Sequence, residues 1–306
     1  VGLSAWCADS DGGSVCLSAR RAQRYIGGMH GFRIVNVFTI DGDRFSGNPL
    51  CVFEDARGLS DQQMQQLARQ MNLSETTFVL PSERGDARVR IFTPGFEMPF
   101  AGHPTLGTAS VVAGRRDRVV LEMAVGLVQV SRAGDAWTLK AARPPTSRPV
   151  EATRAELARM VGLPDDAVSG EPLWVNSGVE QLVIPIASAA LVRRAQPVPE
   201  LLARWGFSAA RDEAMAYLWA TDTTPWTVRF FFTSNGAVLE DPATGSACVN
   251  LGAWHLAQQR PPFEATLHQG EAVGRPSRLG LRVDSDGGIY VSGATIELGS
   301  GTLDAG

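Results

Sequence analysis

The sequence predicts an α+β protein of two halves, each a curved, mostly antiparallel sheet around one buried helix. Three observations predict it. Strand-like runs far outnumber helix-like ones, and hairpin-length connections dominate. A helical stretch opens at Ala101-Gly102-His103-Pro104. A second, from Gly245 to Gln258, is apolar nearly all round and must be buried. Both helices follow the same layout: an apolar strand, a turn with Pro and Gly, then a helix start carrying Gly. A chain of 306 residues can bury two ordinary cores, so two domains are expected.

The elements follow from local signals. Phe32 to Thr39 alternates around Ile34, Val35, Val37 and Phe38 and reads as a strand; Gly47-Asn48-Pro49 is a turn before a short strand, Leu50 to Phe53. Ser60 and Gln63 form a capping box for a helix with Met64, Leu67, Ala68 and Met71 on one face. Strands are expected at Phe78 to Leu80 and Ala87 to Phe92, and, after the first central helix, at Arg118 to Met123, Leu127 to Val130 and Trp137 to Ala141. Three prolines in Arg143 to Pro149 interrupt the ladder and mark the domain boundary. The expected divisions are a leader over 1–28, an N-terminal domain over 29–143 and a C-terminal domain over 150–303. In the second half Thr153 and Glu156 cap a helix ending at Gly162, and a short helix fits Pro199 to Trp205. Strands are expected at Leu173 to Asn176, Gln181 to Ile186, Met215 to Thr221, Trp226 to Phe232, Ala265 to His268, Leu279 to Val283 and Ile289 to Leu298.

Composition narrows the function. A net charge of −4 argues against a nucleic-acid surface, and no apolar run reaches membrane-spanning length. Cys7, Cys16, Cys51 and Cys248 have no CxxC spacing, so neither a disulfide framework nor a zinc site is expected, and a reducing, cytoplasmic setting fits. His30, His103, His255 and His268 lack metal-ligand spacing, so no metal is expected. Val1 to Gly28, rich in Ser, Gly, Ala and Arg, reads as a disordered upstream extension without a catalytic role. The chain has no GxGxxG after a strand, GxxxxGK[ST], HExxH or GxSxG. Its one lysine, Lys140, is poorly placed for a Schiff base.

The two helix starts carry the candidate chemistry. Exposed amides at a helix start attract an anion, and Gly lets a ligand approach the backbone. Gly102 and His103 stand at the first start. Gly245 and Ser246, at the second, read as a small anion cradle or as an N-cap, two compatible readings. Glu75, before the apolar Phe78 and Val79, reads either as a surface-loop carboxylate or as a proton shuttle, since apolar surroundings favour a carboxyl group's neutral form. His103 reads as a helix-capping or a substrate-facing imidazole, and Asp241 as a turn residue or a partner of His103 or the substrate. Cys248, inside the apolar helix, reads as a core residue.

The strings MNLSETTFVL, RIFTPGFEMPFAGHPTLGTA, EDPATGSA and QGEAVGRPS, in this order, resemble the PhzF family of phenazine-biosynthesis isomerases, and VNVFTIDGDRFSGNPLCVF resembles its first hairpin. The resemblance spans about Met29 to Leu303. It implies two diaminopimelate-epimerase-like domains with the active site in the cleft between them, and a homodimer. It also implies Glu75 as the proton-shuttling carboxylate, His103 against the substrate, Asp241 as the Asp of the family's E-D-x-x-T-G-S segment, and Gly245 and Ser246 on the substrate carboxylate. Related epimerases on this fold use two thiols, at places where this chain has Ala101 and Thr244. A single acid/base that moves a proton between two carbons of one small carboxylate fits better than a two-thiol inversion.

The activity implied is cofactor-independent isomerisation of trans-2,3-dihydro-3-hydroxyanthranilate. The alternatives are an epimerase, hydratase or isomerase acting on another small carboxylate, or a non-catalytic binding protein. The stretch Leu173 to Arg194 matches the family loosely, which leaves the ring recognised open.

Overall fold

The computed structural model describes residues 28–305 apart from 142, 235 and 261. The expected leader lies outside the described residues except for Gly28, whose carbonyl accepts from the Ala305 amide at 2.8 Å. The first half runs β1 (Met29–Thr39), β2 (Asn48–Phe53), α1 (Asp61–Met71), β3 (Glu75–Leu80), β4 (Ala87–Phe92), β5 (Glu97–Met98), α2 (Gly102–Ala113), β6 (Arg118–Met123), β7 (Gly126–Ala133) and β8 (Ala136–Lys140). The second runs β9 (Thr146–Pro149), α3 (Arg154–Met160), β10 (Leu173–Asn176), β11 (Glu180–Pro185), α4 (Ala189–Arg194), α5 (Pro199–Trp205), β12 (Phe207–Ser208), β13 (Glu213–Ala220), β14 (Trp226–Ser234), β15 (Ala237–Asp241), α6 (Gly245–Ala257), β16 (Phe263–Gln269), β17 (Ser277–Val283) and β18 (Ile289–Asp304).

The fold is α+β, and its two halves repeat one topology. In the first, α1 joins parallel strands β2 and β3, and α2 carries the chain from β4 to its parallel neighbour β6. In the second, α4 and α5 lie between parallel strands β11 and β13, and α6 carries the chain from β14 to parallel β16. The other paired strands run antiparallel, β3 with β4 and β13 with β14 among them. The buried helices α2 and α6 are therefore the second crossover of each half. Their burial on all sides follows from their composition, as Leu106, Leu251 and Trp254 are almost wholly removed from water. Each such side chain contributes about 2 kcal/mol.

Local chemistry sets the boundaries. The Ser60–Gln63 and Thr153–Glu156 capping boxes both form. Asn72 ends α1 with φ of 52° and turns the chain so that β3 opens on Glu75, three residues earlier than the apolar run implied. Arg143–Pro149 does not break the ladder throughout. Thr146–Pro149 pairs antiparallel with Asn176–Leu173. Among the described residues β9 has β10 as its one neighbour, and prolines are accommodated on such an edge because no second ladder needs their missing N–H. The helix α4, capped by Ser188, and the strand β15 were not foreseen.

The last strand is longer than its apolar run. β18 pairs with β17, then with β8, then along the whole of β1, where Met29 faces Asp304 and Thr39 faces Ala294. The sheet is thus continuous from one half to the other. No helix among the described residues is long and apolar enough to cross a membrane.

His255, on α6, sits in an aromatic cluster of Trp219, Trp226, Trp254 and Phe263, with ring centroids 4.5–5.5 Å away. Its Nε2 is buried without a hydrogen-bond partner among the described residues. Burial, then the nearby Arg260, push its pKa down to about 4. The folded state binds this proton more weakly than the unfolded chain, so stability falls as pH drops from about 6.5 to about 4, by roughly 3 kcal/mol at the limit. Thermal denaturation of the wild type and His255→Leu across that range tests this: the wild type should lose Tm relative to the variant as pH falls, and parallel curves would contradict it.

Candidate active site

The six residues singled out in the sequence gather where α2 and α6 meet end to end. Gly102 and His103 are the first residues of α2, and Gly245 and Ser246 the first of α6. A methyl group built on Gly102 would lie 3.2 Å from the carbonyl carbon of Gly245 and 3.4 Å from the Ser246 amide nitrogen. One built on Gly245 would lie 3.2 Å from the His103 amide nitrogen. The two helix starts touch backbone to backbone because neither glycine has a side chain. Neither start has a side-chain cap, whereas α1, α3 and α4 are capped by Ser60, Thr153 and Ser188. Two uncapped positive helix ends side by side favour an anion between them.

Glu75 opens β3 beside Leu50 of β2, and its side chain is 17% exposed. Its Oε2 lies 3.0 Å from Nδ1 of the buried His103. That approach is too poorly aligned to count as a hydrogen bond, so Oε2 and His103 Nε2 are both buried polar atoms without a hydrogen-bond partner among the described residues. Buried polar atoms are rarely left so. Asn48 Oδ1 is likewise buried and unpartnered, so the site holds hydrogen-bonding capacity that the described residues do not use.

Asp241 ends β15, opposite Phe230 of β14. Its Oδ1 accepts from Asn48 Nδ2 at 2.9 Å and its Oδ2 from Thr244 Oγ1 at 2.6 Å; Gln269 Nε2 donates to its carbonyl at 2.9 Å. Burial pushes the carboxyl pKa up to about 6, and the negative charge of Glu75 raises it further toward that value. The Thr244 hydroxyl, His103 and Asn48 pull the other way. Glu75, His103 and Asp241 therefore share one electrostatic environment, in which the charge of Glu75 opposes the ionisation of Asp241. Glu213, at the start of β13, belongs to its margin. Burial raises its pKa, its partner Arg211 at 2.6 Å opposes the shift, and the charge of Glu75 adds to it.

Asn48, Thr244, Gln269, Gln181 and Glu213 were not identified as site residues from the sequence. Asn48 and Gln269 do lie inside the strings SGNPLCVF and QGEAVGRPS that carry the resemblance, but Asn48 reads locally as a turn residue. Gln181 Nε2 donates to Ser246 Oγ at 3.0 Å, and nothing local marks it. Cys248 is buried with its thiol pKa raised by burial, as a core cysteine should be.

The family model described as a phenazine biosynthesis-like protein, PhzC-PhzF, matches residues 35–301. The chain is 37% identical to a Pasteurella multocida protein named an uncharacterised isomerase, over 90% of this chain and 94% of the relative. It is 36% identical to the trans-2,3-dihydro-3-hydroxyanthranilate isomerase of Pseudomonas aeruginosa, over 85% of this chain and 92% of that one. A solved PhzF-family structure from Bacillus anthracis shares the fold, with a TM-score of 0.77 at 21% identity, covering 90% of this chain and 99% of the other. The protein is an enzyme of the isomerase class. It belongs to the PhzC-PhzF family.

Two outcomes follow from the geometry. The folded state holds the Asp241 proton more tightly than the unfolded chain, whose Asp titrates near 3.8. The stability this gives is present below about pH 4 and lost as pH rises through about 6, a change of roughly 3 kcal/mol. Asp241→Asn, which carries no charge, should therefore gain Tm over the wild type at pH 8 but not at pH 4; an advantage that shrinks with rising pH would sink the assignment. Gly102→Ala should force the helix starts apart by a few tenths of an ångström, lowering Tm by a few degrees and turnover by more than about tenfold. Unchanged kinetics would show that the close contact is dispensable.

Proposed function

We propose that the protein is a cofactor-independent isomerase that moves a proton between two carbons of an unsaturated cyclic amino acid, with trans-2,3-dihydro-3-hydroxyanthranilate the leading substrate. The observation that carries this reading is the convergence of Glu75, His103 and Asp241, with two unpartnered polar atoms, on a pair of uncapped helix starts. The substrate carboxylate takes the amides of Gly245 and its neighbours and the Ser246 hydroxyl. Gly102 keeps the wall thin on the opposite side. The Glu75 carboxylate removes a proton from one ring carbon, the double bonds shift, and the same carboxyl returns a proton to a second carbon on the same face. The enol product then tautomerises to a ketone. His103 stands against Glu75 and the ring. Asp241, titrating near pH 6, keeps a proton available beside them and orients the assembly through Asn48 and Thr244. The conjugated ring spreads the charge that develops, so the mechanism calls for no cofactor.

The 36% identity to the Pseudomonas aeruginosa isomerase supports the substrate, and the uncharacterised Pasteurella multocida relative leaves room for another small carboxylate on the same machinery. We infer a homodimer from the family resemblance. The buried free thiols Cys51 and Cys248 suit a reducing cytoplasm.

Incubation with trans-2,3-dihydro-3-hydroxyanthranilate in heavy water, followed by NMR, is the test. The product should carry solvent deuterium. Glu75→Gln should abolish the exchange, by more than about a thousandfold, while Tm and substrate affinity stay near wild type. Full activity in that variant removes the mechanism. Exchange into a different cyclic or aliphatic amino acid from a panel, with none into this one, reassigns the substrate. Affinity without any exchange would make the protein a binder.

A further inference from the structure

Behind Ser246 lies a chain of buried amides whose direction is set by the backbone. The Ser177 amide N–H donates to Asn250 Oδ1 at 3.0 Å. Asn250 Nδ2 donates to the Val179 carbonyl at 2.8 Å and to Gln181 Oε1 at 2.7 Å. Gln181 Nε2 donates to Ser246 Oγ at 3.0 Å. Gln181 and Asn250 are each 1% exposed.

Amide oxygen and nitrogen are often interchangeable in a structure, but not here. A backbone N–H can only donate, so the Asn250 atom facing Ser177 is oxygen. A backbone carbonyl can only accept, so the atom facing Val179 is nitrogen. Both ends of the Asn250 amide are thus assigned independently, and they agree. Its nitrogen also faces Gln181, which must present its oxygen. The Gln181 nitrogen is left for Ser246. The Ser246 oxygen accepts, and its own proton is excluded from the line to Gln181.

We propose that Asn250 and Gln181 are positioning residues that fix the polarity of the Ser246 hydroxyl, leaving its proton free to donate to the substrate carboxylate. The inference rests on the reading that Ser246 takes that carboxylate. It adds the reason why the hydroxyl meets an anion as a donor rather than as a rotor with two choices. A hydroxyl already committed as an acceptor on one side loses little freedom when it donates on the other, and donation to a charged acceptor is the stronger kind of hydrogen bond. The chain links α6 to β11 and to the Ser177–Val179 turn, so the donor is held by the second half alone.

Gln181→Glu tests the direction of the chain, because its carboxylate keeps the shape and can only accept. It would draw the Ser246 proton back from the cleft. Gln181→Met keeps the length and leaves the hydroxyl free to turn. Thermal denaturation first confirms that both are folded. With trans-2,3-dihydro-3-hydroxyanthranilate at pH 8, Gln181→Glu should raise KM about tenfold or more and change kcat less, and Gln181→Met should raise KM by about threefold. A KM for Gln181→Glu equal to or below that of Gln181→Met overturns the proposal. Neutron diffraction from deuterium-exchanged, ligand-free wild-type crystals decides independently of turnover. The Ser246 deuteron should point away from Gln181, with both Gln181 amide deuterons resolved on the nitrogen facing Ser246. A Ser246 deuteron on the line to Gln181 overturns it. Absence of solvent exchange in the wild type would count against the proposed isomerisation, while the deuteron positions would still decide the polarity of the chain.

Discussion

The contact between Gly102 and Gly245 is the constraint on which the site depends. Two helices from different halves of the chain press their first turns together, and the separation is set by bare backbone. Any side chain at either position would stand between the helices. The contact brings two sets of unsatisfied amides within reach of one small molecule, a geometry one helix alone could not offer. It also sets two positive helix ends against each other, which is unfavourable unless negative charge lies nearby. Glu75 and Asp241 supply that charge in the ligand-free protein.

Burial, together with the charge of Glu75, in turn makes Asp241 costlier to ionise. The protein tolerates this by surrounding Asp241 with the Asn48 amide and the Thr244 hydroxyl and by placing His103 against Glu75. The surroundings of Asp241 reach across the halves, since Asn48 comes from β2 and also donates to the Ala243 carbonyl before α6. Glu75 Oε2, His103 Nε2 and Asn48 Oδ1 remain without hydrogen-bond partners among the described residues. Stability has been given up locally where the proposed chemistry needs groups that are not already committed.

Much of this was legible in the sequence, for identifiable reasons. Capping boxes involve residues three apart, so Ser60–Gln63 and Thr153–Glu156 could be read directly. The burial of α2 and α6 follows from their composition, and the recurrence of one layout pointed to two helix starts. Other features depend on partners far along the chain. β9 forms because β10 offers an edge on which Pro149 does no harm. Asn48 reads as a turn residue until β2 is laid against the second half. Gln181 is an unremarkable strand residue whose contact with Ser246 exists only once β11 lies alongside α6. The pairing of β18 with β1 likewise has no local signature, because Leu298 to Asp304 is too polar and Gly-rich to announce a strand.

That pairing bears on how the molecule comes into being. The strand that flanks β1 along its entire length, β18, is synthesised long after it, since β2 to β17 lie between them in chain order. With β2 on its other edge, β1 keeps one edge unpaired until β18 has been made. Non-local pairing of this kind is slow, and a waiting edge is exposed to mispairing with other nascent chains. Assembly of the sheet around β1 is therefore gated by β18, and loss of that strand should be felt as failed assembly of the first half rather than as local fraying.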